Sequence, residues 1–317
     1  MNMLAFGVLT VFGTGNATQV NTITAAIDSA LINYNLISSD SISTANLIMG
    51  IIIASLVALV LLGGIKRIGQ VAEKLVPFMA VFYIILALGV VFLNFSRIPY
   101  VFSSIFKGAF TPASVTGGAV GSFFMSMKKG VSRGIFSNEA GLGSAPIAAA
   151  AARTNEPVRQ GLVSMTATFI DTIIICSITG IAIVLTGAYD MGLEGVAVTT
   201  KAFQIGLPFP DGVASFILML CLVFFAFTTI LGWDYYSERC LEYLTNGKKK
   251  CIKAYRWVYI LCVFIGPYMT VSAVWTIADI FNGLMAIPNL IALVALSGVV
   301  AKETKDYLDR IKKKEID

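Results

Sequence analysis

The stretch Gly130–Ile147, GVSRGIFSNEAGLGSAPI, decides how the rest of the chain is read. It sets four glycines, one acid, one asparagine and several serines between strongly apolar neighbours. Polar, flexible residues at membrane depth are costly unless protein or water surrounds them, so function is expected to concentrate in such a stretch. The surroundings are indeed membrane-like. Of 317 residues, 57% are hydrophobic and 13% charged, and the mean hydropathy is +0.82. That is too apolar for an ordinary soluble domain. Runs long enough for a helical span, about 20 residues at roughly 1.5 Å each, recur along nearly the whole length.

Composition also excludes chemistries. The chain has no histidine, and its five cysteines (Cys176, Cys221, Cys240, Cys251, Cys262) sit in or beside apolar runs without metal-ligand spacing. They read as core thiols. Zinc-hydrolase and histidine-based nucleophilic mechanisms are ruled out, and no catalytic constellation or metal site replaces them, which points to a non-enzyme. The net charge of +5 comes from lysines and arginines clustered in a few connections, so it reports membrane orientation, not nucleic-acid binding.

Reading outward from the central stretch gives an all-α, polytopic membrane protein of about eight spans, forming one transmembrane domain over 1–317 with a basic cytoplasmic tail at 301–317. The first span begins at Met3 and turns polar at GTGNATQVNT, Gly13–Thr22; no signal peptide is expected. Further spans are expected at 47–64, 75–94, 113–134, 161–186, 213–233, 257–269 and 271–300, the last kinked at Gly283 or Pro288. The segment IPYVFSSIFKGAF suits an interfacial helix, and PIAAAAAR a short helix near the inner face. Connection 28–46 has two aspartates and no Lys or Arg, whereas 65–74 and 245–256 are basic, and six Lys or Arg lie in 302–314. Positive-inside bias puts the basic connections and both ends in the cytoplasm.

Several polar groups interrupt the apolar spans. Asn16 and Gln19 are three apart and share a helix face, as a cavity wall requires; interhelical hydrogen bonding beside packed glycines explains them equally. Thr228 and Thr229 offer hard oxygen ligands for Na⁺, and Trp233, four residues on, offers a face for a small aliphatic substrate. The alternative is a threonine pair bonded back to its own helix, with Trp233 as an interfacial anchor. Gly117, Gly118, Gly121 and Ser122 read either as an unwound helix middle that frees backbone groups for a substrate or as a packing face. Asn138 and Glu139 gate a pathway or cap a helix. Asp171 and Asp279, acids within apolar runs, are functional candidates or partners of a helix end or a base.

The wording SRGIFSNEAGLGSAPIAAAA (132–151), followed by TNEPVRQG (154–161), resembles the bacterial and archaeal sodium:alanine/glycine symporter family, and the resemblance extends from about Phe12 to the end. It implies a leucine-transporter-type inverted-repeat fold within the APC superfamily. The implied function is symport of a small neutral amino acid, alanine or glycine, with Na⁺ as the coupling ion and no other cofactor. The implied partners are that amino acid, Na⁺ and the lipid bilayer, with no nucleic acid; oligomeric state is open. It further implies that Asn16, Gln19, Gly118, Gly121, Ser122, Thr229 and Trp233 contact substrate and that Thr228 and Thr229 bind sodium. The chain keeps the family's Gly15, Asn16, Gln19 and Asn21, with Thr22 in place of Ser. It departs at Asp234, where an uncharged residue is expected, and in the alanine run after Pro146, where many relatives have His. Family members also carry three more N-terminal helices, one glycine-rich and broken. The expectation is therefore a partial fold, the last eight of eleven helices, that does not transport alone. The rival reading is a channel, a non-transporting membrane subunit or an inactive fragment.

Overall fold

The computed structural model describes the backbone of residues 2–38, 41–110 and 119–313, and every described element is helical. The first is one continuous helix in three parts. α1 (Asn2–Thr10) passes into a π-helical segment, Val11–Ala17, and then into α2 (Thr18–Asn33). A π turn widens the helix and loosens its carbonyls, and this one contains Gly13 and Gly15. Local side chains take up the slack: Thr18 Oγ1 donates to the carbonyls of Gly13 (3.0 Å) and Thr14 (2.7 Å), and Gln19 Nε2 donates to Thr14 O (3.1 Å).

α3 (Ile42–Leu61) and α4 (Gly64–Leu93) follow, almost without a break. Lys66, Arg67 and Lys74 thus sit on the first turns of α4 instead of in a connection; Gly69 and Pro77 are both accommodated inside the helix. α5 (Ile98–Phe110) is the short amphipathic helix expected there. α6 (Ala119–Asn138) ends at the glycine-rich loop 139–144, and α7 (Ala145–Ala149) is a single short helix. α8 (Pro157–Phe169), a second π-helical segment Ile170–Cys176 and α9 (Ser177–Thr186) form one continuous run. The connection between the spans expected at 161–186 and 213–233 contains α10 (Val196–Gly206).

α11 (Asp211–Leu244) runs eleven residues beyond the expected end at Trp233, and α12 (Lys249–Ile265) starts eight residues before the expected Trp257. Both extensions are rich in charged residues, so hydropathy hides them while helix propensity carries the chain on. α13 (Val271–Lys312) contains Pro288 and reaches through the segment expected as a tail. Arg310, near its end, forms a two-pronged ion pair with Glu156 at 2.8 and 2.9 Å.

Five described helical stretches are long and apolar enough to cross a membrane: Ile42–Leu61, Gly64–Leu93, Pro157–Thr186, Asp211–Leu244 and Val271–Lys312. Of the other expected spans, the first is interrupted by Thr14, Asn16 and Gln19, α6 carries Lys128, Lys129 and Arg133, and α12 has 17 residues. Large apolar side chains such as Leu290, Ile291, Val294 and Val299 on α13 lie on the outside, as a lipid-facing surface requires.

α11 is the shared element of two cores. One packs its Ile230, Leu231 and Trp233 with Val11 and Ile23 of the first helix, Val57 of α3 and Tyr259 of α12. The other packs Leu218 and Cys221 with Tyr83 and Val90 of α4, Ala182 of α9 and Phe203 of α10. Leu142, from the glycine-rich loop, is fully buried in the first core, which pins that loop to the bundle.

Candidate functional site

The π-helical segment is wedged between α11 and α13. At Gly15, a Cβ would stand 2.1 Å from Trp233 Cβ, and at Gly13 one would stand 3.0 Å from Ala278 N. Only glycines allow two neighbouring helices to come this close. Polar groups then meet across the contact. Thr14 Oγ1 donates to Asn282 Oδ1 at 2.9 Å, Asn16 Nδ2 donates to Tyr259 O at 3.0 Å, and Asn21 Nδ2 donates to Met269 O at 2.9 Å. Asn16 is fully buried and Gln19 is partly exposed.

Trp233 is 2% exposed, and its indole lies near the carboxylate of Glu139. This places α11 beside the glycine-rich loop. The loop is shaped for the contact: Glu139, Gly141 and Gly143 have φ of +56°, +87° and +88°, left-handed values that favour glycine and are uncommon for a glutamate. Asn138 Oδ1 accepts from Ala140 N at 2.9 Å, Ser144 Oγ donates to Glu139 at 2.6 Å and Asn289 Nδ2 donates to Gly141 O at 2.9 Å. Burial pushes the Glu139 carboxyl up from the ordinary glutamate range, and the hydrogen bond from Ser144 and the nearby Trp233 indole oppose that push.

Asn138, Glu139 and Asp171 line one cleft of 360 Å³ together with Gln160, Ser164 and Tyr236. Asp171 lies in the second π-helical segment, accepts from Ser137 Oγ at 2.8 and 2.9 Å, and has Thr172 beside it accepting from Asn138 Nδ2 at 3.0 Å. The end of α6 is thereby tied to the helix that follows the loop. Asp279 stands apart, in a 460 Å³ cleft with Ser132 and Thr276. It pairs with Arg133 at 2.8 Å and accepts from Ser132 Oγ at 2.8 Å, while the Arg133 guanidinium lies 3.9 Å over the Trp275 ring.

Thr228 Oγ1 donates to Phe224 O and Phe225 O at 3.0 Å, and Thr229 Oγ1 donates to Phe225 O at 2.9 Å. Both hydroxyls are thus bonded back along their own helix, with lone pairs left over as acceptors. Gly117 and Gly118 lie outside the described residues, as do the side chains at 121 and 122; the backbone over 119–122 is helical. Among the described residues no group of three or more His, Cys, Asp or Glu side chains could hold a metal ion.

Four participants were not singled out from the sequence: Tyr259, Asn282, and the partly buried ion pair of Glu238 with Arg256, 2.5 and 2.7 Å. Glu238 follows Asp234 by one turn, so continuing the 3.6-residue period past Trp233 would have found it.

A bundle of long apolar helices whose interior carries a polar seam, a distorted helix and a pinned glycine-rich loop is a multi-pass membrane protein. The chain belongs to the sodium:alanine symporter family, which it matches over residues 2–317. It is 49% identical over 310 residues to an uncharacterized transporter of Haemophilus influenzae, covering 97% of this chain and 65% of that protein. It is 44% identical over 314 residues to the sodium/alanine symporter AgcS of Methanococcus maripaludis, with 98% and 65% covered. Against the probable sodium/glutamine symporter GlnT of Bacillus subtilis the identity is 39% over 305 residues, with 96% and 59% covered. The chain therefore spans a little under two thirds of the length of these relatives.

Proposed function

We propose that the chain serves sodium-coupled symport of a small neutral amino acid, alanine or glycine, by alternating access in a leucine-transporter-type inverted-repeat fold of about eight crossings. The observation that carries this reading is the π-helical segment Val11–Ala17 closed against Trp233, beside Glu139 of the glycine-rich loop. Such a loosened, polar stretch inside an apolar bundle is where a transporter binds its cargo. Two of the relatives are named for sodium with alanine and sodium with glutamine, which supports both the ion and the substrate class.

In this reading Asn16, Gln19, Gly118, Gly121, Ser122, Thr229 and Trp233 surround the amino acid, and the spare lone pairs of Thr228 and Thr229 accept Na⁺. Asn138, Glu139 and Asp171 gate the inner side, because their hydrogen bonds tie α6, the loop and the helix 157–186 into a unit that must rearrange for the 360 Å³ cleft to open. Asp279 takes part through Arg133. Both ends of the chain face the cytoplasm of a prokaryotic cell, as the clustered Lys and Arg indicate.

The test is uptake of labelled alanine by cells producing the full-length protein, with Na⁺ replaced by choline. Uptake is expected to collapse in choline and to be competed by glycine. Uptake indifferent to sodium would overturn the coupling, and currents without substrate dependence would replace the symporter with a channel.

A further inference from the structure

Two oxygens near the Gly15–Trp233 contact have no hydrogen-bond partner among the described residues: Asn16 Oδ1 and Asp234 Oδ1. Their residues are sealed from solvent, at 0% and 1% exposure, and each directly follows one of the two residues in contact. Tyr259 ties the two sides together. Its carbonyl takes the Asn16 amide N–H at 3.0 Å, and its hydroxyl lies 2.8 Å from Ile230 O, one turn before Asp234, and 3.2 Å from Gly15 O. A single tyrosine proton serves one of those two carbonyls fully at a time. The region is therefore rich in oxygen acceptors and short of donors.

The charge count points the same way. The charged neighbours of Asp234 are Glu238 and Arg256, and those two already pair with each other through both carboxylate oxygens. With Asp234 ionised, one carboxylate remains without a counter-charge among the described residues inside an apolar bundle, which is costly. One monovalent cation would cancel it, whereas a divalent ion would leave an excess of positive charge. Hard oxygen donors of the carboxylate, amide and carbonyl type suit an alkali cation.

We propose that Asp234 and Asn16 bind a sodium ion between the π-helical segment and α11, separate from the one assigned to the Thr228 and Thr229 hydroxyls. The proposal rests on the sodium-coupled reading, and it makes Asn16 an ion ligand instead of a substrate contact.

The experiment measures ²²Na⁺ binding to the purified full-length protein without amino acid, together with Na⁺ activation of alanine uptake in proteoliposomes. Wild type is expected to show cooperative Na⁺ activation. Asp234→Asn, close in shape but uncharged, is expected to raise the half-activating Na⁺ concentration about tenfold or more and to remove the cooperativity. Asn16→Ala is expected to shift it in the same direction by less, and it decides the matter if Asp234→Asn does not fold. Wild-type ²²Na⁺ affinity in both variants overturns the proposal. So does an Asp234→Asn variant with unchanged Na⁺ activation and an altered pH profile, since the carboxyl would then hold a proton. Uptake by wild type that ignores the choline exchange would refute sodium coupling itself, and ²²Na⁺ binding would still decide the site.

Discussion

Replacing Gly15 with alanine places a Cβ 2.1 Å from Trp233 Cβ, 2.4 Å from Cγ and 3.1 Å from Cδ2. Carbon atoms rest at about 3.5–4.0 Å, so the closest pair overlaps by roughly 1.5 Å. The neighbour cannot swing aside, because Trp233 Cβ moves only with its own backbone and the residue is 2% exposed. α11 must therefore retreat from the first helix, which stretches the Tyr259 contact to Gly15 O and the approach of Trp233 to Glu139. Overpacking of this kind costs about 1–3 kcal/mol, here at the upper end, while alanine returns about 0.5–1 kcal/mol of helix propensity. At roughly 2–4 °C per kcal/mol, a net loss of about 2 kcal/mol lowers the melting temperature by about 4–8 °C. Thermal unfolding in detergent, followed by size-exclusion recovery, measures it, and alanine uptake is expected to fall with it. Gly161→Ala, where nothing lies within 4 Å of the added Cβ, is the control and is expected to melt at or slightly above wild type. A Gly15→Ala protein that melts and transports like wild type would refute the close helix contact.

Three further outcomes follow from the ion pairs and the loop. Arg256→Leu leaves Glu238, 6% exposed in its side chain, without its partner beside Asp234, and is expected to cost about 3–5 kcal/mol in thermal unfolding; adding Glu238→Gln should recover most of the loss. Arg133→Gln removes a pair about one-third exposed and is expected to change stability by less than about 1 kcal/mol. For Glu139, whose carboxyl is raised above the ordinary 4.5, the folded state favours the protonated form. Its contribution to stability is then full below pH 4.5 and is lost as pH rises through the elevated value. A melting-temperature profile against pH is expected to show this decline in wild type and to lack it in Glu139→Gln; identical profiles would contradict the buried carboxyl.

Much of this was legible because hydrophobic runs and breakers are local signals. The helical class, the loop at SNEAGLGS, the short helix after Pro146 and the amphipathic helix at 98–110 follow from composition and turn residues. The continuations of α11 past Trp233 and of α12 back to Lys249 were hidden, since a hydropathy window stops where charges begin, while the helix continues wherever a neighbouring helix neutralises them. Glu238 and Arg256 are such a pair, separated by a helix end in sequence and by 2.5 Å in space. The π-helical segments were equally invisible. VFGTGNA and IDTIIIC hold no breaker that forces a widened turn, and only packing against Trp233 and Ala278 in the first case, and hydrogen bonding to Ser137 and Asn138 in the second, gives the extra residue a place. Thr228 and Thr229 could be singled out as hydroxyls, but the bonds that they make to Phe224 O and Phe225 O depend on rotamers that spacing does not encode.

The 42 residues of α13 amount to about 63 Å of helix, twice the roughly 30 Å of a hydrocarbon core. One end lies against the π-helical segment through Ala278, and the other grips Glu156 through Arg310, with Pro288 between them. A bend at Pro288 would act at a distance on the Arg310 end. From Pro288 to Arg310 the arm is about 33 Å, so a 10° change of bend at the proline sweeps the guanidinium through about 6 Å. A displacement of that size far exceeds the reach of a 2.8 Å hydrogen bond, so the Glu156 clasp holds only over a narrow range of bends.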